Sequence, residues 1–76
     1  MMTIAEVKRD LPPVRIEWEG RKYWARVSGR MNEFASVSPS QPIDGRKEVR
    51  TIMGPIFHYS WETVTNAINS GKTLKV

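Results

Sequence analysis

Residues 14–27 read Val-Arg-Ile-Glu-Trp-Glu-Gly-Arg-Lys-Tyr-Trp-Ala-Arg-Val, two alternating runs joined at Glu19-Gly20. Alternation with a period of two marks a strand, because successive side chains point to opposite faces of a sheet. Val14, Ile16 and Trp18 therefore share one face. A tight turn at Glu19-Gly20 returns the chain, and whether its loop holds two residues or four, Tyr23, Ala25 and Val27 join that same face. The opposite face carries Arg15, Glu17, Lys22, Trp24 and Arg26. A slip of one residue would exchange the two faces completely, so the pattern fixes the hairpin. It also leaves one tryptophan on the polar side.

The rest of the chain has to supply a core for this hairpin. With 76 residues it forms one small domain, 1–76, and buries only about 60–65% of its unfolded surface. It contains no cysteine, so neither a disulfide nor a zinc-thiolate site reinforces it. Thr3 with Glu6 fits a capping box, and Ile4, Val7 and Leu11 follow at helical spacing. Pro12-Pro13 must end that helix, which spans 3–11. After the hairpin, Gly29 permits a second turn and residues 33–38 read as a third strand. Residues 38–45 have the proline, serine and Asp-Gly signals of an irregular loop. Residues 46–53 alternate as a fourth strand, closing a sheet region of 14–53. Ser60, Glu62 and Gly71 then delimit a helix over 60–70, with Trp61, Val64, Ala67 and Ile68 on one side. Residues 72–76 have room for a short terminal strand.

The expected fold is α+β: a small antiparallel sheet of three to four strands, the C-terminal helix packed on one face, and a short N-terminal helix. Trp18, Tyr23 and Trp61 fall in the core on this reading. The N-terminal helix, marginal alone, docks on the sheet or stays partly disordered. Two outcomes stay open at the polar hairpin face: the helix covers it and buries Trp24 with Ile4 and Val7, or it leaves that ring free to bind.

Signatures of catalysis are missing. His58, the one histidine, sits in the apolar stretch Ile56-Phe57-His58-Tyr59 and reads as a packed or capping residue. No serine lies in a strand–elbow–helix motif, and the five glycines stand too far apart for a phosphate loop. Glu17 and Glu19 resemble a carboxylate pair, but Arg21 and Lys22 neutralise them nearby. The expectation is a non-enzyme with no cofactor, no metal and no small-molecule substrate. No apolar run approaches the roughly 20 residues that cross a bilayer. The first ten residues lack the order of a signal peptide. No membrane association and a cytoplasmic location are therefore expected.

Charge points to a partner. The formal net charge is +4, and residues 8–30 alone hold seven bases against three acids. A basic segment of this kind favours a polyanion through steering and counterion release. Cross-strand geometry sets Arg15 opposite or diagonal to Trp24, a cation–π arrangement also found where proteins grip nucleic acids. The expected site is Lys8, Arg9, Arg15, Lys22, Trp24, Arg26 and Arg30. Arg46, Lys47 and Arg50 form a weaker cluster.

Lys8-Arg9-Asp10-Leu11-Pro12-Pro13, followed by a hairpin, a further strand and a helix, resembles the arm-type DNA-binding domain of lambda-type tyrosine recombinases. The resemblance covers residues 8 to about 27 and, loosely, 60–70. It implies DNA contacts by Arg15, Lys22, Trp24 and Arg26 from the sheet face, with Lys8 and Arg9 approaching phosphates. Arg21-Lys22-Tyr23-Trp24-Ala25-Arg26-Val27 is similar to the first strand of the small T7-type phage inhibitor of bacterial RNA polymerase. Both likenesses imply a phage or mobile-element protein in a bacterial host. The leading expectation is a nucleic-acid-binding domain, with DNA favoured over RNA. The alternative is a protein that binds and inhibits a host factor such as RNA polymerase or a defence complex. A third is an accessory subunit whose exposed strand edge pairs with another chain.

Overall fold

The computed structural model describes residues 1–43 and 54–76. Along the chain it forms α1 (Ile4–Asp10), β1 (Val14–Trp18), β2 (Arg21–Ser28), β3 (Phe34–Pro42), β4 (Phe57–Ser60), α2 (Trp61–Ser70) and β5 (Leu74–Lys75). The strands build one sheet in the order β4-β3-β2-β1-β5, antiparallel except where β5 runs parallel to β1. This is the expected α+β class with five strands and a mixed sheet. The sequence-derived strand at 46–53 lies outside the described residues.

The hairpin parity holds. β1 and β2 pair from Val14↔Ala25 through Ile16↔Tyr23 to Trp18↔Arg21. Glu19 and Gly20 remain as a two-residue turn, with φ of 51° and 75°. Two successive positive φ values define the turn whose twist matches paired strands, and Gly20 adopts its share without cost. Glu19 does not, since an L residue with a Cβ is strained there.

One face of the sheet makes the core. Val14, Ile16, Tyr23, Ala25, Val27, Ala35 and Val37 are buried, and Leu74 beside Ile16 extends the layer. α2 lays Trp61, Val64 and Ala67 on this face, and α1 contributes Val7. Trp18 is half-buried against the cluster, its ring 5.8 Å from that of Tyr23. All three residues assigned to the core thus belong to it.

α1 is a helix of 7 residues, too short to be stable alone. Its start is fixed by the capping box: the Glu6 amide donates to Thr3 Oγ1 at 3.2 Å, and the Thr3 amide donates to Glu6 Oε1 at 3.0 Å. Its position is fixed by Asn69 of α2. The Asn69 side chain accepts from the Met2 amide and donates to the Met2 carbonyl, both at 2.8 Å. That two-point clasp ties the chain ahead of α1 to α2, on the core side of the sheet. Ile4 is exposed and Val7 is inside the core, so α1 is not the cover over Trp24.

α2 begins and ends as its sequence indicates. Ser60 Oγ accepts from the Thr63 amide at 3.1 Å, and Gly71 closes the helix with a φ of 70°. The Trp61 indole donates to the Asn32 carbonyl at 2.8 Å, joining the start of α2 to the β2–β3 connection.

Two expectations need correction. The loop at 38–45 is instead strand as far as Pro42. Among the described residues β4 pairs with Phe34 to Val37 and beyond that point β3 pairs with β2 alone, an edge position in which proline is tolerated. A bulge accommodates Ser40: Ala25 pairs with Pro39, whereas Trp24 pairs with Gln41. Ser40 Oγ donates to the Trp24 carbonyl at 2.9 Å across it. Gly54 lies against the Pro39 ring, where a Cβ would meet its carbons at 3.0 Å. The second correction is His58, which is neither packed nor capping. It is exposed on β4, opposite Ser36.

Replacing Glu19 with Asn, which tolerates positive φ better, should raise stability by about 0.5–1 kcal/mol. A urea midpoint that stays the same or falls in the Glu19→Asn protein would contradict the turn assignment.

Candidate nucleic-acid interface

Both helices of the described residues lie on the core side, so neither covers the other sheet face. Its composition follows from register. Lys75, Glu17 and Lys22 form one row, Arg15, Trp24 and Gln41 the next, and Arg26 with Ser38 a third. Ser28, Ser36 and His58 continue it, and Phe34 with Ser60 closes the far end. The bulge matters here. Without the extra residue, Gln41 would fall on the core face and Pro42 on this one.

Trp24 is the centre of this surface and is half-buried. The Arg15 guanidinium carbon lies 5.1 Å from its ring centroid. Such a contact is worth roughly 0.5–1 kcal/mol where water reaches it. It also restrains the indole and the guanidinium relative to one another. Lys22 and Arg26 are exposed on either side along β2. Phe34 is 52% exposed on the same face.

Trp24 and Arg15 also border an open recess of about 360 Å³. Pro13 and Val14 complete its strand side. Ala67, Ile68, Gly71 and Lys72, from the end of α2, form the other wall. Val14 and Arg15 point to opposite faces, so the opening lies at the sheet margin. β5 reaches β1 only at Ile16 and Glu17 and leaves the first residues of β1 uncovered on that side.

The seven residues expected to form the site separate into groups. Arg15, Lys22, Trp24 and Arg26 come together on the bare face. Lys8 and Arg9 do not, because α1 lies on the core side. The Lys8 ammonium sits 5.5 Å from the Trp61 ring centroid. Arg9 is bound to Asp10 by two contacts, Nε to Oδ1 at 2.8 Å and Nη2 to Oδ2 at 3.1 Å. That guanidinium holds the Asp10 carboxyl below its ordinary value. Arg30 is exposed in the β2–β3 connection, apart from the hairpin rows. Lys72 and Ile68 were missed by sequence reasoning. Nothing local marks them, because their role comes from where α2 ends relative to β1.

The class defined so far is a two-layer α+β domain, its helices on one sheet face and a basic aromatic surface on the other. Comparison with known protein families, with curated proteins and with solved structures finds no match.

If Arg9 is engaged by Asp10, Arg9→Gln should move the Asp10 titration upward, back towards an ordinary aspartate, when followed by carboxyl carbon NMR. A depressed carboxyl pKa adds stability above the ordinary value and loses it as pH falls through the lower one. Acid unfolding of the Arg9→Gln protein should therefore be less steep below about pH 4. An unchanged Asp10 titration would show that the pair does not persist in solution.

Proposed function

We propose that this protein is a non-catalytic domain that binds nucleic acid, DNA before RNA, through the bare face of β1 and β2. One observation carries the reading: Arg15, Lys22 and Arg26 share with the Trp24 indole a sheet face that neither helix of the described residues covers. Cations arranged around an aromatic ring match a polyanion whose bases offer π-faces. Phosphate contacts give affinity without sequence choice, and the ring supplies the base contact. Arg15, Lys22 and Arg26 take the phosphate role, while Trp24 takes the other. Lys8 and Arg9 have no part in this face, and Arg30 is peripheral to it.

A second reading is favoured by Phe34, which is 52% exposed on the same face, and by Met31, 94% exposed nearby in sequence. Large apolar groups beside a tryptophan and arginines also suit a protein partner, such as an inhibited host factor.

The two readings separate by salt. Anisotropy of labelled DNA, titrated with protein over a salt series, should give an affinity falling linearly with log salt. With three face cations engaged, the slope should be about −2 to −3. Trp24→Ala should weaken binding by roughly tenfold, as expected for loss of one stacking partner. Arg26→Gln, a surface change, should reduce the slope by about one. Absence of a complex even at low salt would overturn the proposal.

A further inference from the structure

The recess beside Trp24 narrows the nucleic-acid reading to one form of ligand. We propose that it takes a single unstacked base, so that the domain binds single-stranded DNA in preference to duplex. The inference rests on the proposed function and adds the strandedness of its ligand.

Size comes first. Small-molecule pockets occupy roughly 300–1,000 Å³. At about 360 Å³, this recess stands at the low end and matches one nucleotide-sized group. The walls come next. Trp24 and Ile68 offer apolar surface suited to the flat face of a base, not to its hydrogen-bonding edges. The rim carries the charge. Arg15 stands on the strand side and Lys72 on the helix side, and among the described residues neither has a carboxylate within 4.0 Å. Both cations are thus available to phosphates flanking an inserted base.

The strandedness follows from geometry. A base inside a duplex is stacked above and below and shows only its edges in the grooves. Seating its face in a recess means taking it out of the stack, at a cost of a few kcal/mol. A single strand presents unstacked bases without that cost, and stacking on aromatic side chains is how such strands are held. The Arg15 guanidinium now lies over the indole. An entering base replaces it there and releases it to the adjacent phosphate. Trp24 belongs to both recess and face, so the neighbouring nucleotides are led across β2 towards Lys22 and Arg26.

The test uses the full chain labelled with nitrogen-15, titrated separately with a short oligothymidylate and with a hairpin duplex. The expected result is binding of the single strand about tenfold tighter than of the duplex. Only the single strand should shift the amides of Ile68, Gly71 and Lys72 along with the Trp24 indole. Lys72→Gln, an exposed change that leaves the fold intact, should lower the single-strand salt slope by about 0.7 and leave the duplex unaffected. Equal binding of both, or shifts confined to β1 and β2, would overturn the recess assignment while leaving the sheet-face reading in place. No binding of either would overturn both.

Discussion

The constraint on which this structure depends is that, among the described residues, both helices pack on one face of the sheet, around a single apolar layer. Ile16, at 0% exposure, lies near the middle of the covered face, with Tyr23 and Ala25 across from it. Burying that layer contributes most of the stabilisation available to so small a domain, at about 25 cal/mol per Å² of apolar surface. Both helices are spent there. α2 brings three large or medium apolar side chains, and α1 is held beside it by the Asn69 clasp on Met2. Neither described helix reaches the other face, whose side chains along β1 and β2 are mostly polar or charged.

That division links fold to function. Strand alternation places Arg15, Lys22 and Arg26 on the uncovered side without any further device. Trp24 breaks the rule, since a large apolar ring on a solvated face forgoes burial that the core side would have given. The ring is partly compensated by Arg15 above it and by the end of α2 beside it. The bulge at Ser40 keeps β3 in register with this arrangement, returning Pro42 to the core side and Gln41 to the outer one. Core packing, helix docking and strand irregularity all act to present the same few side chains.

Much of this was legible in the sequence. The hairpin faces, the Thr3–Glu6 box, the Ser60 cap and the Gly71 stop are local signals, and local signals survive folding when tertiary contacts agree with them. The prolines at 39 and 42 misled because proline usually marks a loop, whereas here they lie in a strand that, among the described residues, pairs at that end with β2 alone. Phe57 to Ser60 is too short to show a period, so β4 was hidden. Lys8 and Arg9 looked like site residues because basic residues close in sequence are easily grouped. Which side of the sheet α1 occupies is a tertiary fact, set by Val7 and Asn69, and no spacing encodes it. The recess was illegible for the same reason, since its two walls come from residues more than forty positions apart.

Binding at the β1–β2 face requires that α1 leave Trp24 uncovered. Proton–proton Overhauser contacts from the Trp24 indole test this directly. Contacts to the Arg15 side chain, with none to Ile4 or Val7, are the predicted result. Contacts to Ile4 and Val7 would place α1 over the indole and contradict the account at its base.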